Sequence, residues 1–247
     1  PVAKPDKDIA WGCYYITSMF DPKDGVVKTF GTADQAVYAY EAKKILVNER
    51  IKTRIRPGEA IMETTVGRIL LNRLFPKEIG YRNDPIGTKE LAVIVRTTIQ
   101  LRGFDRTAKF LDEVKALGFA HATISGFSYG LGDLPDIDKR DLLAEGDVKA
   151  KEVEEQYKEG LLTKKERHAR IIAIWSDIKD RILRMSVDKL NPHGSVYAMI
   201  NSGARGSAGQ LVQVVGMCGL KVNPSGETIE LPIKSSYREG LDVLEYF

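Results

Sequence analysis

Apolar residues return at three- and four-residue intervals in four stretches of the first half of the chain. Asp8–Thr17, Thr32–Lys44, Lys89–Arg102 and Arg106–Leu117 each therefore predict a helix with one buried face. Between them the period drops to two. Ile51, Thr53 and Ile55 alternate with Lys52 and Arg54, so Arg50–Arg56 predicts a strand, and Glu63–Ile69 predicts another. Turn chemistry separates these runs at Asp21-Pro22-Lys23-Asp24-Gly25, Arg56-Pro57-Gly58, Asn83-Asp84-Pro85 and Gly130-Leu131-Gly132-Asp133. The first part reads as mixed α and β.

Near residue 140 the pattern changes. Lys139–Leu190 is charge-rich and free of proline, with Gly160 near its middle, and predicts two long helices folded back on each other. In the second arm Ile171, Trp175, Ile178, Ile182 and Met185 alternate steps of four and three, the spacing of a coiled-coil seam. The first arm offers smaller knobs, Leu143, Gly146, Ala150, Val153 and Tyr157, so the pairing should be close and modestly stable. Gly160 suits the left-handed position past a helix end, and Thr163 with Glu166 predicts a capping box that starts the next helix. Arms of about 20 residues would project roughly 30 Å. The fold class expected is α+β, mainly helical.

Composition narrows the class. Of 247 residues, 43% are hydrophobic and 29% charged, ordinary globular usage that excludes a disordered or collagen-like chain. The length suits one large domain or two small ones. A net charge of +3, from 37 basic and 34 acidic residues, is too balanced to imply a coat for nucleic acid or membrane, so any basic function must be local. Cys13 and Cys218 form no Cys-x-x-Cys or zinc spacing, which favours a reducing, intracellular compartment. Runs such as Leu91–Val95 and Ile171–Trp175 fall far short of the roughly 20 apolar residues that span a bilayer, and no signal peptide opens the chain. The chain opens on Pro1, and Leu241–Phe247 reads as a helix just starting, so a piece of a longer protein is expected.

Two stretches carry candidate chemistry. At the hairpin tip, Lys158–Arg170, Leu161 and Leu162 are flanked by Lys164, Lys165, Glu166 and Arg167, either a solvated turn or an apolar anchor within a charged rim for a partner protein. Asn201-Ser-Gly-Ala-Arg-Gly-Ser-Ala-Gly-Gln210 sets three glycines, hydroxyls and Arg205 between two helix-like runs. It is an anion site at a helix N-terminus or a tight helix-to-helix turn. No Gly-Lys-Ser/Thr ends it, so it is not a Walker loop. His121, His168 and His193 are scattered without ligand spacing, and read as surface or partly packed imidazoles. Asp133, Asp136 and Asp138 read as a turn and helix cap rather than a divalent metal site. No self-sufficient active site emerges from these residues.

Longer runs carry a resemblance. Asn201–Gln210, Val215-Gly-Met-Cys-Gly-Leu220, Pro224-Ser-Gly-Glu-Thr-Ile-Glu-Leu-Pro232 and Ser236–Phe247 resemble the largest-subunit family of multi-subunit RNA polymerases, the bacterial β′ subunit. The same register holds in Asp8–Thr17, Thr64-Thr-Val-Gly-Arg68, Gly126–Asp133 and Tyr157–Thr163, and so covers essentially the whole chain. The resemblance implies three regions: residues 1–138 in the pore region, 139–190 as the rim helices of the secondary channel, and 191–247 as the rest of the funnel with the F-loop, ending as the bridge helix begins. Through that channel nucleoside triphosphates enter and backtracked RNA 3′ ends leave. Arg205 would stand near the entering substrate, with Met199, Ser207, Gln210 and Gln213 lining the inner channel or F-loop. The tip, through Leu161, Leu162, Lys165, Glu166 and Arg167, would dock Gre- and DksA-type factors.

The family's Asn-Ala-Asp-Phe-Asp-Gly-Asp motif, which holds the catalytic Mg2+, does not occur in this chain. The resemblance therefore implies no catalytic or metal-binding residue here and no activity for the chain alone. It implies the β, α and ω subunits and template DNA as partners in a nucleotidyltransferase of the cytoplasm and nucleoid, with no membrane. Val212 and Cys218 stand where bacterial relatives usually carry arginines. Outside the family, the same residues would suit a stand-alone coiled-coil adaptor, or a small phosphate-handling enzyme centred on Arg205.

Overall fold

A computed structural model describes residues 4–246; Pro1–Ala3 and Phe247, the ends of the first and last expected regions, lie outside the described residues. The chain divides into two compact units, residues 1–128 with 198–205, and residues 129–197 with 206–247. The architecture is mainly helical α+β, with one small two-stranded sheet among the described residues.

The first unit holds helices α1 (Lys7–Thr17), α2 (Ala33–Glu41), α3 (Val66–Leu74) and α4 (Thr88–Ser125), with strands β1 (Ile51–Thr53) and β2 (Met62–Thr64). The strands pair antiparallel, Ile51 opposite Thr64 and Thr53 opposite Met62. Two apolar clusters form the core, one where Ala10, Cys13 and Ile16 of α1 meet Leu91, Val95 and Val114 of α4, the other joining α2 to α3 through Ala36, Val37, Val66 and Ile69. At the crossing of α1 and α4 the backbones nearly touch: a Cβ on Gly12 would stand 1.9 Å from the Gly118 carbonyl oxygen.

The expected helix boundaries hold in outline. Thr32 caps α2 in a capping box with Gln35, and α2 stops at Glu41, short of Lys44, because Lys43 turns left-handed at φ +57°. The two expected helices over 89–117 are both present as the halves of α4, which meet at a non-helical Gly103 (φ +73°), and the second half runs on to a left-handed Gly126. The expectation of a strand over Glu63–Ile69 is corrected. The strand ends at Thr64, where Thr65 turns its hydroxyl to accept the Arg68 N–H at 3.1 Å and so opens α3. The same hydroxyl donates to the Ile16 carbonyl at 3.1 Å, and buried Arg68 donates from Nε to the Thr17 carbonyl at 2.7 Å. Thr64-Thr-Val-Gly-Arg68 is thus the joint that locks α3 onto the end of α1.

The second unit is built on α5 (Arg140–Lys158) and α6 (Lys164–Asp188), antiparallel neighbours joined by a five-residue turn. Helix α7 (Ser195–Asn201) leads back to the first unit, while α8 (Ala208–Val215) and α9 (Val243–Tyr246) belong to the second. Ile171, Trp175, Ile178 and Ile182 are buried along the expected seam, but its last position is Ser186 rather than Met185. Val212 and Met217 join that seam, so α8 packs on α6 and takes the place of a further heptad layer. On the facing arm Gly146 and Val153 are buried, and a Cβ at Gly146 would sit 2.7 Å from the Trp175 ring. The small knob is what lets the indole lie between the arms. Lys139, at the foot of α5, is itself buried and donates to the carbonyls of Gly216 (2.5 Å) and Lys234 (2.9 Å) and to Glu239, tying three distant turns to one ammonium.

Candidate functional site

The hairpin tip is fully specified by local bonds. Past α5, the Leu161 N–H reaches back to the Gln156 carbonyl and the Gly160 N–H to Tyr157, both at 3.0 Å, with Gly160 at φ +78°. This six-to-one plus five-to-two pattern satisfies the last carbonyls of the helix. Across the turn, Thr163 accepts the Glu166 N–H at 3.3 Å, and the Glu166 carboxylate accepts from the Thr163 N–H (2.8 Å) and hydroxyl (2.7 Å). Those bonds, the backbone one first, hold the Glu166 carboxyl below the usual carboxylate range.

The two leucines separate: Leu161 is 68% exposed, whereas Leu162 is half-buried and packs on the hairpin core. Lys164 and Lys165 stand in solvent. Arg167 is engaged, pairing with Glu154 at 2.9 Å and Glu230 at 2.7 Å, its guanidinium 5.0 Å from the centre of the Tyr157 ring. His168 Nδ1 meets the other Glu230 oxygen at 2.8 Å. Burial works to raise the Glu230 pKa, but His168 and Arg167 outweigh it and hold the carboxyl below its ordinary value. Glu230 thus ties the 219–233 segment, which folds on itself through bridges Gly219–Ile233 and Val222–Thr228, to the start of α6. Sequence reasoning missed Glu230 because its partners lie more than sixty positions away in a stretch without period.

The glycine-rich turn is shared out between the units. In the first unit, the Asn201 amide donates to the Tyr14 hydroxyl at 2.9 Å, and the Thr88 N–H, at the start of α4, donates to the Ser202 carbonyl at 2.9 Å. Met199 is half-buried there. The Arg205 side chain is 59% exposed, with Asp8 at 3.8 Å, an ion pair too open to hold it in place. In the second unit Ser207 caps α8 by accepting the Gln210 N–H at 3.2 Å, and Gln210 and Gln213 follow on the face of α8 away from buried Leu211, Val212 and Val215. Gly203 and Gly206 take positive φ, whereas Gly209 lies inside α8 with ordinary backbone angles. The three glycines therefore do not form one continuous nest. Met199 and Arg205 belong to one unit, and Ser207, Gln210 and Gln213 to the other.

The remaining candidates have structural partners. Asp133 accepts the Gly130 N–H at 2.7 Å, Asp138 pairs with Arg140 at 2.7 Å, and Asp136 with Arg238 at 2.9 Å. Hydrogen bonds from Arg140 hold the Asp138 carboxyl at about 2. Among the described residues no three His, Cys, Asp or Glu side chains gather as a metal ion would need, and no helix is long and apolar enough to cross a membrane. Cys13 and Cys218 are free and buried, and burial pushes the Cys13 thiol up to about 12. At 1% exposure Cys218 is closed to solvent, and Val212 lies in the hairpin core, so neither departure presents its side chain to a ligand.

Two family models match the chain: RNA polymerase Rpb1, domain 3, over residues 1–134, and RNA polymerase Rpb1, domain 4, over residues 149–238, which takes in the second half of α5. Proteins named DNA-directed RNA polymerase subunit beta' align along the whole chain. That of Pelotomaculum thermopropionicum is 41% identical over 248 residues, covering 100% of this chain and 21% of its own length. Those of Moorella thermoacetica and Heliobacterium modesticaldum are each 40% identical, over 254 and 271 residues, covering 100% of this chain and 21% and 22% of their own lengths. The chain spans about a fifth of the curated relatives it matches.

Proposed function

The chain belongs to the RNA polymerase largest-subunit family, as a piece of a bacterial β′ subunit, and on that premise we propose that it forms a wall of the secondary channel and carries a docking hairpin on the channel's rim. In this reading residues 1–138 belong to the pore, 139–190 are the rim helices, and 191–247 complete the funnel and F-loop. The observation that carries it is the tip. A hairpin whose turn is fixed by its own backbone bonds, and which still leaves Leu161 in solvent among Lys164, Lys165 and Glu166, presents an anchor without needing a partner to shape it.

The occupant proposed is a Gre- or DksA-type factor, and the assembly is the polymerase with its β, α and ω subunits and template DNA. Nucleoside triphosphates would pass Arg205, whose exposed guanidinium can grip phosphate oxygens in a fork. Met199, Ser207, Gln210 and Gln213 would line the same passage, and a backtracked RNA 3′ end would leave by it. The described residues do not suit the enzyme's Mg2+. The chemistry of nucleotidyl transfer is assigned elsewhere in β′, and the isolated chain is read as inactive.

The test is binding of a Gre- or DksA-type factor to polymerase carrying this chain. Leu161→Ala, an exposed change that leaves the core intact, should weaken binding about tenfold, the loss expected of an interface anchor. Arg205→Ala should raise the KM for nucleoside triphosphates or slow elongation. Factor affinity indifferent to Leu161→Ala removes the docking role, and unchanged elongation kinetics remove Arg205 from the passage.

A further inference from the structure

Away from both candidate stretches, the first unit carries an open cleft of about 660 Å³ between the start of α2, the turn after β1 and the end of α3. That lies within the roughly 300–1,000 Å³ typical of small-molecule sites. Its floor is apolar and partly aromatic, formed by Ile55, Ile69, Phe75 and Tyr81. Its rim carries Arg54, Arg56, Arg73 and Lys77 against a single carboxylate, Asp34, which is paired with Arg73. The acids next in sequence offset only part of this excess, Glu78 acting on Lys77 and Glu59 on Arg56. Glu78 is taken by Arg102 at 2.7 Å and does not line the cavity, and Glu59 reaches Arg56 only at 3.7 Å. Among the described residues Arg54 and Lys77 have no carboxylate within ion-pair distance.

Guanidinium forks and an ammonium on one rim match phosphate oxygens, which accept several donors at once. An aromatic, apolar floor matches a flat ring. We propose that this cavity binds a nucleoside polyphosphate, its base against Phe75 and Tyr81 and its phosphates held by Arg54, Arg56 and Lys77. The confinement of the cations to the mouth of one cavity favours a small molecule over a nucleic-acid strand, which would need a basic track. This site is independent of the channel reading, and neither requires the other.

The decisive experiment is a calorimetric titration of the 247-residue chain, verified as folded by circular dichroism, with ATP, adenosine and inorganic tripolyphosphate in parallel. ATP should bind saturably and more tightly than either fragment. Arg54→Ala and Lys77→Ala, both at exposed positions, should each weaken ATP binding about tenfold, as expected for loss of a charge-assisted hydrogen bond. Lys151→Ala, an exposed change on α5 outside the cavity lining, should leave it unchanged. A folded chain that does not bind ATP, or binding indifferent to both Arg54→Ala and Lys77→Ala, overturns the proposal. Tripolyphosphate binding as tightly as ATP overturns its nucleoside half.

Discussion

Helices α1 and α4 cross through glycine, and so do α5 and α6, but the glycines face different things. A methyl group on Gly12 would strike the Gly118 carbonyl at 1.9 Å, and one on Gly118 the Ile9 carbonyl at 2.7 Å, so the first crossing is backbone against backbone. In the hairpin the obstacle to a methyl on Gly146 is the Trp175 ring, at 2.7 Å. A side chain can change rotamer or be redesigned, whereas a main chain held by its own hydrogen bonds cannot yield without moving a helix. The first crossing is therefore rigid by construction and the hairpin adjustable. Electrostatics separate them too: the α1–α4 contact is glycine and apolar apart from a neutral hydrogen bond from the Trp11 indole to the Ser125 hydroxyl at 3.1 Å, while the arms of the hairpin are also bridged by an ion pair, Glu145 to Arg181 at 2.7 Å.

This contrast breaks or survives on substitution. The largest effect expected is from Gly12→Ala, which should destabilise the first unit by at least about 3 kcal/mol, the upper range for overpacking, and resist repair by any neighbouring side-chain change. Thermal unfolding of Gly12→Ala indistinguishable from the parent would abolish the distinction. Gly146→Ala should cost less, about 1–3 kcal/mol, and Trp175→Phe should recover part of it in the double variant. Additive losses in that cycle would mean that the indole is not what the glycine accommodates. The smallest effect is one of pH. Arg181, and after it Lys149, hold the Glu145 carboxyl at about 2, below its ordinary 4.5. Because the folded value is the lower one, the pair's contribution is present above the ordinary carboxylate range and is lost as pH falls toward 2. Amide protection in α5 and α6, taken relative to the intrinsic exchange rate at each pH, should therefore fall between pH 4.5 and 2 before that of α1 does, and equal acid sensitivity would remove this difference between the crossings.

Much of the hairpin was legible in advance, since its seam, its left-handed glycine and its capping box are all set by residues within four positions of one another. The end of the seam was not: Ser186 replaces Met185 as the buried position because α8 arrives from outside the hairpin and brings Val212 and Met217. The strand read over Glu63–Ile69 failed for a related reason. Val66 and Ile69 fit a buried strand as well as a helix face, and Thr65 decides between them through a capping bond and a bond to Ile16, forty-nine positions away. Of the candidate tip residues, Leu161 and Leu162 read alike as letters, yet only Leu161 faces solvent, and Arg167 reads as a rim charge yet is held by Glu154 and Glu230. The cationic cavity left no trace in the sequence, because its rim is assembled from the turn after β1 and the end of α3.

By itself, the sequence determined the mainly helical class, the hairpin with its turn and the family to which the chain belongs, because periodicity, caps and motifs are local and survive without coordinates. Only the tertiary structure decided which glycines are contact points and that Cys218 and Val212 are core residues. It alone also gathered Arg54, Arg56, Arg73 and Lys77 around one cavity. These are outcomes of long-range packing: which backbone approaches which, and which charges are left without a partner once the apolar faces have met.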